Sequence, residues 1–528
     1  MRVARALVAA LLALAVPFAT GIARGANANG AGRAKYVVVT VWDGLRPDLV
    51  NESNTPTLYK LSKEGVFFGR HHSVYPTSTE VNGTAIATGA YPSRSGIIAN
   101  KEYRREIDPL QAVATEGIET VQKGDELTDG KYLGIETLAE IVEAAGYRVA
   151  IAGTKPVALL HNRRGIGMTE GDRKSTTIFS GKAIPEKVLD SITTAQGPFP
   201  ATVTFPNAEA DIWTTKALTE VLWSGEMPKF SLLWLSDPDY SQHNFAPGSP
   251  IGIASLKSCD ANLASLLAAI DEKGVREATD LFVVSDHGFS TISSTVDVAA
   301  VLSEAGFNAV RQFRKEPKVG DVLVVSLGGS TAFYVIGHDP KIVRNLVEFL
   351  QQTDFAGVLF TREPFEGTFA LEQVQLNTAF APDVMMAFRW TEGGNNYGIP
   401  GLLQADIGRK PGQGTHASLS ALDVRNTLIA TGPDFRLNVS NLPSSNLDLA
   451  PTILWILGLK PPQSQDGRVL FEAIRNVEAD YPKPESAVLT ASCRTVSGHW
   501  RQYLKLTRLG SATYVDEGNG SHTTAVRK

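Results

Sequence analysis

The chain has 528 residues, of which 43% are hydrophobic and 20% are charged. These values exclude a largely disordered chain. The length exceeds what one core usually supports, so we expect one large domain with a substantial insertion. The net charge of −5 argues against a nucleic-acid polymer as partner, because polyanions bind to basic surfaces.

The first 25 residues have the pattern of a secretory signal peptide. Arg2 and Arg5 are followed by an apolar run at 6–18 and by small residues up to Gly25. A membrane anchor is the weaker alternative, because the run is shorter than the roughly 20 residues that a span needs. We therefore predict a periplasmic or secreted protein without a membrane span in the mature chain. Loss of three arginines would bring the net charge to −8.

Short apolar runs that end in turn or polar residues recur along the chain. Continuous apolar strands are typical of a parallel sheet that is covered on both faces. Helical patterns at 135–145 and 251–270 lie between them, and this alternation predicts an α/β fold with a doubly wound, mostly parallel sheet. The strands are predicted at 35–42, 148–152, 230–235, 281–285 and 426–431.

One later segment has a different pattern from the rest of the chain. It contains short predicted strands at 321–326 and 332–336, glycine-rich breaks and a predicted helix. We predict that residues 300–387 form a small α+β insertion that caps the site. The catalytic α/β domain would then be discontinuous, with residues 35–299 and 388–528.

Aspartate and histidine residues follow several of the predicted strands. Each one alone could belong to a turn or cap a helix, but their repetition at strand ends favours a shared site. Ligands of such sheets bind outside the carboxyl ends of the strands, and carboxylates and imidazoles are zinc ligands. The candidate ligands are Asp43, Asp239, His243, Asp286, His287 and His416.

A hydroxyl-rich segment, YPTST at 75–79, precedes a helix-compatible stretch. A hydroxyl at a helix N-terminus can act on an anion, because free backbone N–H groups stabilise negative charge there. These hydroxyls could equally well only cap the helix. The local sequence does not separate Thr79 from Thr77.

Several motifs occur together in the order WDGLRPD, YPTSTEVNGTAIATGAYPSRSGIIANKEY, DPDYSQH, SDHGFS and GTHAS. With the segment DLAPTILWILGLKPP they resemble the alkaline phosphatase superfamily and, within it, the type I phosphodiesterase/nucleotide pyrophosphatase family. The resemblance spans about residues 35–470. It implies an alkaline-phosphatase-like fold and an enzyme that hydrolyses a small phosphate ester through a phosphothreonine intermediate.

The resemblance also implies a role for each matching residue. Thr79 matches the nucleophile, and Asn100 matches the catalytic amide that contacts a substrate phosphoryl oxygen. Two zinc ions are implied as cofactors. The ligands implied for one ion are Asp43, Thr79, Asp286 and His287, and those for the other ion are Asp239, His243 and His416.

The chain departs from the family's nucleotide-hydrolysing members at two places. Gln242 stands where they usually carry glycine, and Glu80-Val81 replaces Phe-Pro after the nucleophile. The resemblance therefore predicts the type of reaction, but it does not predict a preference for nucleotides. Phosphodiester or pyrophosphate hydrolysis is the leading subclass. The alternatives are a phosphomonoesterase, a phosphonoacetate-hydrolase-like enzyme and a catalytically silent metal-binding protein.

Three further features of the sequence leave alternatives open. Lys155 resembles a substrate-binding lysine of members that act on monoesters or phosphonoacetate, and it could also be a solvated loop residue. His71 and His72 are predicted to be a surface pair that binds no metal. Cys259 and Cys493 could form a disulfide or remain free thiols. The oligomeric state is not predicted.

Overall fold

The structure is a computed structural model that describes residues 23–24, 32–166 and 175–524. The predicted signal peptide at 1–25 therefore lies outside the described residues, apart from Ala23 and Arg24. These two residues form a short antiparallel pair with Glu478–Ala479.

A nine-stranded sheet forms the centre of the protein. Seven strands run in one direction, whereas Leu428–Thr431 and Lys182–Ile184 run in the other. This confirms the α/β fold with a mostly parallel sheet. In spatial order the strands are Asn438–Ser440, Val66–Phe68, Leu428–Thr431, Thr279–Val284, Tyr36–Trp42, Phe230–Leu235, Val149–Gly153, Thr176–Phe179 and Lys182–Ile184.

The strand Leu428–Thr431 corrects one expectation about direction. It was expected to be parallel, but it is antiparallel to Thr279–Val284. The physical reason is that a strand buried on both faces has the same continuous apolar sequence in either direction.

Helices cover both faces of the central sheet and bury two separate apolar clusters. Val37, Val39 and Val41 point into one cluster, whereas Val38 and Trp42 point into the other, as the alternation of a β-strand requires. On the first face lie Thr79–Thr88, Leu138–Ala144, Ala158–His161 and Leu449–Ile456. On the second face lie Pro56–Glu64, Val188–Gln196, Ala208–Lys216 and Pro250–Glu272.

Two of these helices were predicted with slightly different bounds. The first begins at Leu138 because Thr137 and Glu140 form a reciprocal capping box. The second spans Pro250–Glu272, and the Ser249 side chain caps its first turn. Within the described residues, this second helix alone is long and apolar enough to meet a composition test for a membrane span. Its side chains Leu256, Leu263 and Leu266 are buried against the sheet.

The predicted insertion contains a six-stranded sheet of its own. The helix Pro340–Leu350 buries Val343, Leu346, Val347 and Leu350 against it. In spatial order the strands are Ala309–Val310, Val322–Ser326, Ser330–Val335, Val384–Phe388, Ala356–Thr361 and Phe369–Ala370.

Smaller elements surround the two large sheets. A four-stranded sheet follows the order Trp390–Gly394, Pro400–Asp406, Ser290–Val296 and Gly414–Thr415. Two-stranded pairs join Lys101–Glu102 to Val113–Ala114 and His71–His72 to Ser444–Ser445. The remaining helices with α-helical geometry are Pro92–Ser95, Ile118–Thr128, Asp239–Phe245, Val298–Glu304 and Ala421–Val424.

The chain ends in a three-stranded antiparallel sheet of Glu485–Arg494, Gly498–Leu509 and Ala512–Thr524. The Gln502 side chain of this sheet bonds to the backbone of Leu359 in the insertion. The sheet also contacts the rest of the protein through Asp516. The terminal sheet thus packs on both parts of the chain, and the division at residues 300 and 387 stays a prediction.

Candidate active site

Three neighbouring strands of the central sheet place one aspartate each at the same edge. Asp43 follows Tyr36–Trp42, Asp239 lies four residues after Phe230–Leu235, and Asp286 lies two residues after Thr279–Val284. Because these strands are parallel and adjacent, their carboxyl ends bring the three side chains together. All three side chains are buried.

Gly44 allows the tight turn that directs Asp43 into the site. Its φ is 72°, a value that glycine adopts without steric cost. A Cβ atom there would lie 2.9 Å from the ring of Phe289. The Gly44 N–H donates to Asp286 Oδ1 at 3.0 Å, so the turn also links two of the carboxylates.

Three histidine side chains meet these carboxylates. The Nε2 atom of His287 lies 3.2 Å from Asp286 Oδ2 and 3.6 Å from Asp43 Oδ1. The Nε2 atoms of His243 and His416 lie 3.1 Å and 3.5 Å from Asp239 Oδ1.

His243 is near Asp239 because the two residues are one turn apart on helix Asp239–Phe245. The rings of His287 and His416 stack with centroids 3.7 Å apart. His287 therefore belongs to its predicted ligand set and also lies close to the other set. In one compact group the ligand atoms of Asp43, Asp286 and His287 lie within 4.8 Å of one another, and in the other the same holds for Asp239, His287 and His416.

All three rings direct Nε2 at the carboxylates because Nδ1 faces a backbone carbonyl. A carbonyl oxygen only accepts, so Nδ1 carries the proton and Nε2 presents a lone pair in the neutral ring. The acceptors of His243, His287 and His416 are the carbonyl oxygens of Gly414, Gly288 and Thr77, at 3.0, 2.9 and 2.8 Å.

Each carboxylate keeps one buried oxygen without a hydrogen-bond donor. These atoms are Asp43 Oδ1, Asp239 Oδ1 and Asp286 Oδ2, which are the oxygens nearest to the Nε2 lone pairs. Buried anionic oxygens without partners are costly, and they fit a site that holds divalent cations. The donor set of carboxylates and imidazoles suits zinc.

The electrostatics of the site agree with neutral imidazoles. Burial lowers the pKa of His416 well below its usual value, and the neighbouring His287 and His243 lower it further. Burial also lowers the pKa of His243, despite the opposing effect of Asp239. Neutral rings are the form that binds metal.

The structure distinguishes Thr79 from Thr77. Thr79 is the first residue of helix Thr79–Thr88, and its Oγ1 lies 3.3 Å from His287 Nε2. Thr77 Oγ1 instead donates to the carbonyl of Ser418 at 3.0 Å. Thr79 thus joins the cluster of candidate ligands, whereas Thr77 is bonded to a neighbouring loop.

Asn100 lies beside the same helix N-terminus. Its Oδ1 atom accepts from the backbone N–H of Glu80 at 3.3 Å. This bond fixes the amide next to Thr79. The predicted nucleophile and the predicted amide are therefore brought together.

Lys155 is a buried member of the site and not a solvated loop residue. It follows strand Val149–Gly153, and its Nζ lies 2.9 Å from Asp43 Oδ2 and 2.9 Å from Asp239 Oδ2. The ring of Tyr240 lies 5.0 Å from the same ammonium group. A direct contact with substrate stays a prediction.

Burial and neighbouring charges shift the pKa values of Lys155, Asp43 and Asp239 in different directions. Burial lowers the pKa of Lys155, but Asp239 and Asp43 outweigh it and the pKa is raised well above its usual value. Burial and the Asp286 charge raise the pKa of Asp43 despite Lys155. Burial acts to raise the pKa of Asp239, but His243 and Lys155 outweigh it, so this pKa is lowered.

Sequence reasoning missed several residues that support the site. Trp234 Nε1 donates to Asp43 Oδ2 at 2.9 Å, and Gln242 Nε2 donates to the Gly44 carbonyl at 3.0 Å. Trp234 lies within a predicted strand, where an apolar pattern shows burial but no hydrogen-bond partner. The departure at Gln242 was visible in the sequence, but its bond to the Asp43 turn depends on tertiary structure.

Glu80 and Glu116 form a second unpredicted feature near the nucleophile. Burial and the mutual proximity of the two carboxyl groups raise the pKa of Glu80, and burial raises that of Glu116. Glu116 comes to this place because Thr115 bonds to the Asn100 carbonyl at 3.1 Å. A contact between residues 36 positions apart leaves no signal in one sequence.

Two other expectations are resolved by the structure. His71 and His72 are buried, so the predicted surface location is wrong; they bond to Ser444 and Asn446 and to Asp516. Neither belongs to the metal-ligand groups found among the described residues. Cys259 and Cys493 are both free thiols.

Known proteins match this chain in sequence and in fold. Residues 37–381 match the family model described as type I phosphodiesterase/nucleotide pyrophosphatase. A venom phosphodiesterase of Naja atra is 23% identical over 253 residues, which cover 48% of this chain and 26% of the relative. Human ectonucleotide pyrophosphatase/phosphodiesterase family member 1 is 25% identical over 260 residues, which cover 48% of this chain and 22% of the relative.

The fold comparison agrees with the family match. Murine ectonucleotide pyrophosphatase/phosphodiesterase 5, solved as an inactive variant in complex with AMP, gives a TM-score of 0.55 at 17% identity. The match covers 81% of this chain and 96% of that chain. The chain spans about a quarter of the length of the curated relatives it matches. From its motifs, the family match and the fold, the chain belongs to the type I phosphodiesterase/nucleotide pyrophosphatase family.

Proposed function

We propose that the protein hydrolyses small phosphate esters with Thr79 as nucleophile and two zinc ions as cofactors. One observation carries this proposal. Three buried carboxylate oxygens without donors face three Nε2 lone pairs in one cluster, and the Thr79 hydroxyl lies 3.3 Å from one of these nitrogens, His287 Nε2. A catalytically silent metal-binding protein would not need that hydroxyl at a helix N-terminus.

The candidate ligands divide into two sets around His287. Asp43, Asp286, His287 and Thr79 would hold one ion. Asp239, His243 and His416 would hold the other. When bound, the two ions would supply Lewis-acid stabilisation of the charge on the attacking and leaving oxygens.

The chain's own residues account for the remaining steps. Thr79 Oγ1 loses its proton to solvent and forms a bond to phosphorus while the bond to the leaving oxygen breaks, which gives a phosphothreonine. The leaving oxygen takes up a proton from solvent. The N–H groups at the start of helix Thr79–Thr88 stabilise the phosphoryl oxygens, and Asn100 orients one of them. Water then attacks phosphorus, the bond from phosphorus to Oγ1 breaks, the phosphate product leaves, and Oγ1 regains a proton as the Thr79 hydroxyl.

Phosphodiester or pyrophosphate bonds are the proposed leading substrates. The relatives named as phosphodiesterases and nucleotide pyrophosphatases support this subclass. Buried Lys155 favours the alternative of a phosphomonoesterase or phosphonoacetate-hydrolase-like enzyme, because a dianionic group gains more from a nearby cation. Secretion is also proposed, since relatives carry the names of venom and ecto-enzymes.

The experiment replaces each threonine in turn. Thr79→Ala should lower turnover by several orders of magnitude, because the covalent step is lost, and it should retain about two zinc ions per chain. Thr77→Ala is the matched control, since it removes a hydroxyl bonded to Ser418. Rates on p-nitrophenyl phosphate, bis-p-nitrophenyl phosphate and a nucleotide p-nitrophenyl ester assign the subclass. Equal losses in the two variants, or full activity without a transition metal, would contradict the proposal.

A further inference from the structure

One ammonium group connects the two halves of the candidate metal site. Lys155 Nζ lies 2.9 Å from Oδ2 of Asp43 and 2.9 Å from Oδ2 of Asp239. The other oxygen of each carboxylate, Oδ1, has no hydrogen-bond donor. The lysine therefore occupies one oxygen of each aspartate and leaves the second one free.

Two buried carboxyl groups contact this lysine, and the third, that of Asp286, lies beside Asp43. Asp43, Asp239 and Asp286 are each at most 1% exposed. Among the lysine and arginine side chains of the described residues, only that of Lys155 lies within ion-pair distance of Asp43 and Asp239. A buried carboxylate without a compensating charge is strongly destabilising.

Neighbouring elements also hold the backbone segment that carries Lys155. Thr154 N–H donates to the Trp234 carbonyl at 2.9 Å, next to the indole that bonds to Asp43. Helix Thr79–Thr88 packs onto the same segment: a Cβ atom at Gly83 would lie 2.6 Å from Val157. The lysine thus stands on a rigid segment between the nucleophile helix and the sheet.

We propose that Lys155 is a positioning residue that keeps the metal-free site assembled. Its ammonium group acts as an internal counter-ion for Asp43 and Asp239, and it holds both carboxylates so that each offers one oxygen to a metal ion. This inference rests on the proposed function, since it assumes that the free oxygens bind metal.

The inference predicts that Lys155 contributes more to the stability of the metal-free protein than to that of the zinc-loaded protein. In the metal-free protein Lys155 compensates the buried carboxylates alone. With two divalent cations bound, four positive charges are added close to the same oxygens. Removal of the lysine should therefore destabilise the metal-free protein strongly and the zinc-loaded protein weakly.

The experiment is thermal unfolding of Lys155→Met in chelator and in saturating zinc. The metal-free unfolding midpoint should fall by at least about 4 °C relative to wild type, and the fall in zinc should be less than half as large. Lys63→Met is the matched control, since Lys63 is exposed and contacts Tyr59. Equal falls with and without zinc, or no fall in the metal-free protein, would overturn the proposal.

A second variant covers the case in which Lys155→Met fails to fold. Asp43→Asn removes one of the two charges that the lysine compensates. The double variant should be more stable in chelator than Lys155→Met alone, because fewer uncompensated charges remain buried. A double variant that is less stable than Lys155→Met would contradict a counter-ion role.

The same measurements separate this inference from the proposed function. If zinc does not raise the unfolding midpoint of the wild-type protein, the metal-dependent function fails, while the metal-free comparison still tests the lysine. Rates in saturating zinc provide a second readout. Equal losses on monoester and diester substrates support a positioning role, whereas a loss confined to monoesters would show a substrate contact and overturn it.

Discussion

Four buried histidine side chains of this protein, His71, His161, His243 and His416, have a pKa that burial lowers. The ring of His161 shows this most clearly. It is 2% exposed, its Nε2 has no hydrogen-bond partner, and it lies against Trp234 with ring centroids 5.6 Å apart. Burial alone lowers its pKa to about 3. Such a ring links the stability of the fold to pH.

The sign of this dependence follows from the two states. An unfolded histidine has a pKa of about 6.5, so unfolding takes up a proton at pH values between about 6.5 and 3. The neutral ring therefore contributes stability above pH 6.5 that is lost as the pH falls. His161→Phe keeps an aromatic ring and removes the titrating group.

We expect the metal-free unfolding midpoint of wild type to fall faster than that of His161→Phe between pH 7 and pH 4. The free energy of unfolding should change with pH more steeply in wild type than in the variant, by a difference that approaches about 1.4 kcal/mol per pH unit. Circular dichroism melts in chelator at several pH values measure it. Parallel curves for the two proteins would show that His161 does not titrate on unfolding.

Some residues of the candidate site could be identified from the local sequence, whereas others could not. Asp-His at 286–287 after an apolar strand predicts a ligand pair, because few turns need that combination. Thr79 could be chosen over Thr77 only by resemblance, since both hydroxyls precede the same helix. The structure separates them through a bond from Thr77 to Ser418, a contact across more than 300 residues.

Among the elements, one turn of the insertion supports a candidate ligand directly. It joins strands Val322–Ser326 and Ser330–Val335. The Gly329 N–H donates to the His416 carbonyl at 2.7 Å, and the Ser330 hydroxyl donates to the Ala417 carbonyl at 2.6 Å. The insertion therefore holds the His416 loop, in addition to its predicted role as a cap.

Gly329→Ala tests this support. A Cβ atom at Gly329 would lie 2.6 Å from the His416 carbonyl oxygen and 2.8 Å from Ser418, so the backbone of that loop must shift. We expect a loss of roughly ten- to a hundredfold in kcat/KM and weaker zinc retention. Enzyme assays and metal analysis of the purified variant measure both.

Gly394→Ala is the control, because its nearest neighbours lie 3.9–4.0 Å away. It should keep wild-type activity and metal content. If both variants behave like wild type, the turn does not position His416. The sequence showed glycine-rich breaks in this segment, but it could not show which loop they approach.

At the scale of the whole molecule, the terminal sheet joins parts that are far apart in the sequence. The side chain of Gln502 bonds to both backbone groups of Leu359: the Leu359 N–H donates to Oε1 at 2.8 Å, and Nε2 donates to the carbonyl at 3.1 Å. On the opposite edge of strand Ala356–Thr361, Leu359 pairs with strand Val384–Phe388. The amide thus takes the place of a missing neighbouring strand.

Gln502→Ala should leave the two buried Leu359 groups without partners. We expect a loss of about 1–3 kcal/mol in the free energy of unfolding and unchanged zinc content. Denaturant melts followed by fluorescence measure the change. Arg501→Ala, on the exposed neighbouring residue, should have little effect; equal destabilisation by both variants would exclude a specific role for the amide.

The order of the strands and helices along the chain could be predicted better than the contacts between the sheets. Apolar runs predicted five of the nine strands of the central sheet, and helical periods predicted two of its covering helices, because burial on both faces imposes a continuous apolar pattern on a strand. The predicted direction of strand Leu428–Thr431 was wrong, because the apolar pattern of a buried strand is the same in either direction. The terminal sheet packs on the insertion partly through Gln502, a polar residue whose partner one sequence cannot show.

The carbonyl acceptors of the three imidazoles affect how this site can evolve. In His243, His287 and His416 the Nδ1 proton is held by the main chain, so no side-chain replacement can delete an acceptor. Point mutations can therefore change the ligands themselves or move a loop, but they cannot gradually adjust ring basicity through an acceptor residue. Divergence in metal preference is thus expected to proceed by ligand exchange and by insertions or deletions near residues 77, 288 and 414.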